Sequence, residues 1–185
     1  MIREIQVIEI EAVMKLVKMA HAVRESTCYV NGLYDLITWK GARYEYYLLP
    51  LVGGMAAFSY LKYQAAQPPC LVHWGISPQY MIKELSGIIG FTQMISEGKA
   101  YRNVFPVIKQ SLDNDEPIIA GAVDMYYLHY YPKLYQKMHV PIHYLLVVGY
   151  DDTKKVVSVH DFTFPEYRRF PTMNLRNPWI SAFRV

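Results

Sequence analysis

A chain of 185 residues, 52% hydrophobic and 19% charged, has the size of one compact domain and can bury a substantial core. Lys and Arg total 19 against 16 Asp and Glu, a net charge of +3, and the basic residues are scattered, so no nucleic-acid partner is implied. Arg3, Glu4, Glu9 and Glu11 stand where a signal peptide needs an unbroken apolar core, and the uncharged run 46–61 is shorter than a bilayer span and broken by Pro50 and Gly53–Gly54.

The expectation is therefore a single domain over residues 1–185, cytoplasmic, with no membrane partner. Its two cysteines, Cys28 and Cys70, are expected as free thiols in a reducing compartment.

Ile5, Val7 and Ile10 open the chain with a β-like rhythm, and Ala12 to Ala22 carries enough helix formers to predict a first helix. Ser26 and Thr27 are N-cap residue types in front of Cys28. The segment CYVNGLYDLITWKG then predicts a helix with Val30, Leu33, Leu36 and Ile37 on one face and Gly41 as its stop. Residues 42–67 are apolar and interrupted by glycine, and Pro68–Pro69 precede a short strand, CLVHW. Helices are expected over 77–94, starting near Pro78, and over 104–112, with Val104, Ile108 and Leu112 in register.

DNDEP breaks the chain, and three strands follow: 118–123, 143–150 and 155–161, all rich in β-branched or apolar residues. The last two are separated by DDTK, a hairpin turn in length and composition, so they should pair antiparallel. Helices first and strands afterwards give an α+β class. The 17 tyrosines cluster in YEYY (44–47) and MYYLHYYPKLY (125–135); Tyr126, Tyr127 and Tyr130 are candidates for a pocket wall, although a partly exposed core edge explains the cluster equally well.

A thiol is a nucleophile as its thiolate, and a helix N-terminus stabilises that anion. Cys28 is expected at such a terminus, with no acidic residue in the turn after it. A small buried cysteine is the alternative at even odds. His143 and Asp161 bracket the predicted hairpin. With a turn centred near Asp152 they lie opposite one another with side chains on one face, the acid orienting a histidine base; a one-residue slip would separate them. His139 and His143 have the i, i+4 spacing of helical metal ligands, but Pro141 between them opposes that helix, and no metal or other cofactor is expected. His160, next to Asp161, should face the opposite way.

Cysteine at a helix start, a late histidine opening a strand and an aspartate ending the next: this order resembles the papain-like superfamily. HYLLVVGYDD followed by VVSVHD resembles two of its branches, the leader-cleaving cysteine peptidase domains of bacteriocin exporters and the N-terminal domain of the butirosin biosynthesis protein H family. The second resemblance covers most of the chain, since Cys28 with its helix, GGMAAFSYLKY, DEPIIAGAVDMYYLHY and the hairpin occur in that family's order. It implies a papain-like fold and an acyltransferase that moves an acyl or aminoacyl group from a carrier-protein or CoA-type thioester to a small-molecule amine. Cys28, His143 and Asp161 would be nucleophile, base and orienting acid.

Two departures stand out. Papain-like enzymes usually carry an oxyanion-stabilising Gln shortly before the cysteine, and HAVREST has none; the Cys28 amide with Asn31 or His21 is the candidate replacement. The chain also ends 24 residues after Asp161, where the resembled family usually continues; a fragment, a shortened homologue or a domain whose acceptor site is missing are the expectations. A peptidase or amidase, and a binding module that kept the fold without its chemistry, are the competing readings.

Overall fold

The computed structural model describes residues 14–24, 27–62, 70–74, 78–96, 101–175 and 181–184. In chain order the elements are β1 (Met14–Leu16), α1 (Cys28–Trp39), α2 (Leu48–Val52), β2 (Phe58–Lys62), β3 (Cys70–Trp74), α3 (Pro78–Leu85), β4 (Met94–Ser96) and α4 (Tyr101–Asp113), then β5 (Ile118–Val123), β6 (His143–Asp151), β7 (Val156–Asp161), β8 (Phe164–Pro171) and β9 (Ser181–Arg184). The first strand rhythm, at Ile5, Val7 and Ile10, lies outside the described residues.

Seven strands form one sheet in the order β4-β9-β5-β6-β7-β8, with β1 also paired to β6; β2 and β3 form a separate hairpin. The sheet has a core on each face because β6 alternates. Leu146 and Val148 pack with Val30, Leu33, Leu36 and Ile37 of α1, while Leu145 and Val147 pack with Val104, Ile108 and Leu112 of α4. Burial of these side chains, most of them completely enclosed, contributes roughly 1.5–3 kcal/mol each. It fixes α1 across the middle of β6.

α1 forms where expected. Thr27 is its N-cap, extended at φ −128°, ψ 149°, with its hydroxyl accepting from the Val30 amide at 3.2 Å. Gly41, at φ +96°, supplies the left-handed residue that turns the chain away after it. α4 extends the expected 104–112 helix at its N-terminal end. The expected helix near Pro78 is shorter than predicted: α3 stops at Leu85, a π-helical turn covers Ser86–Gly90, and Met94 already belongs to β4. Gly90 at φ +87° ends that turn.

The expected helix over Ala12–Ala22 does not form in its described part. Residues 14–16 are instead strand β1, pairing antiparallel with Asp151, Tyr150 and Gly149. β5 covers that edge of β6 only as far as Val147, so the remaining backbone groups of β6 need a partner. This pairing outweighs helix propensity. Gly149 permits the close approach, because a Cβ there would lie 2.5 Å from the Lys15 carbonyl oxygen.

β6 and β7 form the expected antiparallel hairpin, with the turn over residues 152–155. The Asp151 carboxylate accepts from the Lys154 amide at 2.9 Å. Among the described residues no helix is long and apolar enough to cross a membrane.

Candidate active site

The β6–β7 register explains how two distant residues meet. Near the turn, Asp151 pairs with Val156, Tyr150 with Val157 and Gly149 with Ser158; farther on, Val147 pairs with Val159 and Leu146 with His160. Val148 is thus an extra residue in β6, a β-bulge. Without it Asp161 would fall opposite Leu146, on the face away from His143. With it, Asp161 falls opposite Leu145, two residues from His143 on the same face. The two are diagonal neighbours, not the directly opposite pair expected from a turn centred near Asp152.

The His143 Nε2 lies 3.1 Å from Asp161 Oδ1 and 3.0 Å from Oδ2, with the side chains 4% and 0% exposed. On its own, burial would depress the imidazole. Hydrogen bonds to Asp161 and to the Cys28 thiol, with the Asp161 charge, outweigh it and push His143 up to about 9. Since Nε2 is held by the carboxylate, Nδ1 is the ring nitrogen left for the thiol. Cys28 is the first residue of α1, half-buried and free, with no acidic residue in the first helical turn. The Tyr144 amide also points at its sulfur, at 3.4 Å. Cys28, His143 and Asp161, expected from three separate elements, lie in one chain of contacts.

Asp161 has two further donors. Tyr130 donates to Oδ2 at 3.0 Å and Tyr131 to Oδ1 at 3.0 Å, and the Tyr131 oxygen lies 2.6 Å from Thr163 Oγ1. Burial, reinforced by the Asp161 charge, raises both phenols far above their ordinary range, so both remain donors. The Tyr131 and His143 rings meet at near right angles, centroids 5.7 Å apart. Sequence reasoning placed Tyr130 in a pocket wall and missed Tyr131; the Tyr-Tyr pair before Pro132 was the available signal.

The remaining substrate-binding candidates lie elsewhere. Asn31 is buried, donating to Asp35 at 3.1 Å and accepting from the Arg24 amide at 3.0 Å, which commits its carbonyl oxygen and one of its N–H groups. The His21 nitrogens face Asp35 and the carbonyl oxygens of Asp161 and Phe164, which removes the second oxyanion candidate. Tyr126 stacks on His139 with centroids 4.1 Å apart, and Tyr127 is exposed, its carbonyl bound by Asn174. His139 pairs with Asp124 at 2.6 Å and sits outside any helix, so the His139–His143 spacing does not make a metal pair. Tyr130 does line a cleft of about 560 Å³, with His129, His160, Arg168 and Arg169 among its walls; Cys28 and His143 are not among them. His160 faces away from His143, as expected, against His21.

A family model described as butirosin biosynthesis protein H, N-terminal, matches residues 27–162, a span that includes Cys28, His143 and Asp161. Among solved structures, the chain is similar to the peptidase domain of Streptococcus ComA, a bi-functional ABC transporter involved in a quorum-sensing pathway. The TM-score is 0.52 at 12% identity, over 91% of this chain and 98% of that one. At that identity the likeness bears on the fold, which is papain-like. The comparison with curated proteins gave no match.

Proposed function

Since the chain belongs to the butirosin biosynthesis protein H N-terminal family, we propose that it is a cysteine-dependent acyltransferase, with Cys28 as nucleophile, His143 as base and Asp161 as the orienting acid. The observation that supports this reading most is the contact chain from a thiol at a helix N-terminus, through a buried imidazole, to a carboxylate held by two phenols.

In the acylation step His143 holds the proton taken from Cys28, and the sulfur attacks the carbonyl carbon of a carrier-protein or CoA-type thioester. The new bond is Cys28 S–C; the donor's C–S bond breaks, and its thiol leaves with the proton from His143. In the second step a small-molecule amine attacks the acyl-cysteine, His143 accepts the amine proton, and the C–N bond forms as the Cys28 S–C bond breaks. Asp161 keeps the imidazole in one orientation through both steps.

A hydrolytic version replaces the amine with water. It is the second reading, favoured by the papain-like fold shared with a peptidase domain. The test is to incubate the protein with an acyl-CoA thioester, with and without a primary amine, and follow Cys28 and the products by mass spectrometry. An acyl adduct on Cys28 that amine converts to amide is expected. Free acid in both conditions points to a hydrolase, and no adduct leaves a binding module.

A further inference from the structure

A second buried His–Asp pair lies on the other face of β7, and the chemistry above does not use it. His21 Nδ1 is 2.5 Å from Asp35 Oδ2, while His21 Nε2 lies 3.2 Å from the carbonyl oxygen of Asp161 and 3.0 Å from that of Phe164. Both side chains are enclosed, at 3% and 4% exposure. Asp161 and Phe164 pair with each other where β7 turns into β8, so one imidazole edge bridges the two ends of the turn that carries the acid. The opposite edge is anchored to α1, the helix that begins with Cys28. Asn31, one turn before Asp35, donates to the same carboxylate oxygen at 3.1 Å, and the Arg24 guanidinium lies 3.5 Å from the other.

His21, Asp35 and His160 also bring nitrogen and oxygen atoms within 4.8 Å of one another, as ligands of a metal ion would be. The contacts assign His21 and Asp35 to an ion pair instead. Ligands about 2 Å from a tetrahedral ion stand roughly 3.3 Å apart, wider than the His21–Asp35 contact, and Arg24 already faces the carboxylate. All the partners of His21 are acceptors, so both its nitrogens donate and it is an imidazolium. Consistently, although burial opposes it, the Asp35 contacts raise His21.

We propose that His21 is a positioning residue: by tying the Asp161–Phe164 turn to Asp35 on α1, it fixes the catalytic acid relative to the helix that carries Cys28. This rests on the acyl-transfer reading above. Asp161 is the last residue of β7, at this turn, and a displacement there moves its carboxylate relative to His143 directly. Loss of His21 therefore acts through the base and not on the thiol.

The test is the rate of Cys28 alkylation by iodoacetamide against pH, located by mass spectrometry, in the parent, His21→Ala, His21→Gln, His143→Ala and the His21→Ala/His143→Ala double variant. His21→Ala is expected to lose about tenfold or more of the rate near pH 6–7 and to approach the parent in alkaline solution, where proton removal no longer needs the base. His21→Gln, which keeps an N–H for the carbonyl oxygens, should retain most of the rate, and the double variant should be no slower than His143→Ala alone. If His21→Ala does not fold, Asp35→Asn carries the test with the same loss near pH 6–7.

An unchanged profile, a loss equal at every pH, or an additive loss in the double variant overturns the proposal. A parent whose Cys28 reactivity is the same with and without His143 overturns the acyl-transfer reading, and the positioning role with it.

Discussion

Asp161 reaches His143 because Val148 is an extra residue in β6. The bulge shifts the β6–β7 register by one between Gly149 and Val147, and a one-residue shift decides which face a side chain occupies. The bulge is held from the residue that follows β1, since the Val17 amide donates to the Val148 carbonyl at 2.8 Å. The segment around β1 thereby supports the register that places Asp161 against His143.

Gly149 is where that support is most exposed to mutation. A Cβ at this position would stand 2.5 Å from the Lys15 carbonyl oxygen and 3.1 Å from the Leu16 Cα, both backbone atoms that do not yield as a flexible side chain would. Gly149→Ala is expected to destabilise the fold by about 1–3 kcal/mol, measured by urea denaturation. It should also slow Cys28 alkylation near neutral pH, because β1 and the bulge move together.

The two phenols on Asp161 predict a coupled effect. Tyr131→Phe and Tyr130→Phe each remove one donor from a carboxylate that is fully enclosed, at an expected cost of about 1–3 kcal/mol in stability. The double variant should depart from additivity, since both act on one group. Denaturation of the four proteins measures the coupling.

Asp161→Asn keeps the size of the side chain and removes its charge. The amide no longer stabilises the imidazolium of His143, so acyl-cysteine formation is expected to fall by about a hundredfold or more. Single-turnover mass spectrometry with a thioester donor measures it, and melting temperature checks that the fold survives.

The buried histidines should titrate in opposite directions. His143 is raised to about 9, so its contribution to stability is present below its unfolded value and lost as pH rises through about 9. His160 is depressed to about 4 by burial and by the His21 charge, so the fold gains from it above its unfolded value and loses that gain as pH falls through about 4. Histidine NMR titration of the parent and a His160→Phe variant separates the two.

Much of this arrangement was legible in the sequence, and the exceptions have a common cause. Thr27 before Cys28, the apolar face of α1 and the alternating strands around DDTK are local signals, and α1, β5, β6 and β7 form where those signals put them. The same was true of the α+β class and of the three residues brought together, while strands β1 to β4 are interleaved with the helices. The misplaced helix over Ala12–Ala22 depended on an unpaired edge of β6, a tertiary fact. The bulge at Val148 leaves no mark in composition, and the donors from Tyr130 and Tyr131 arise only when their loop folds over Asp161. Asn31 looked available as a polar residue near the cysteine; its commitment to Asp35 and Arg24 is a matter of which face of α1 it occupies.

The most direct test of the account is Cys28 alkylation by iodoacetamide across pH in the parent and in His143→Ala, with the labelled residue identified by mass spectrometry. The account predicts rapid labelling of the parent near pH 6 that is lost without His143, as a thiolate–imidazolium pair requires. Slow labelling near pH 6 in both proteins, rising only in alkaline solution with no difference between them, would contradict it and leave a papain-like fold without cysteine chemistry.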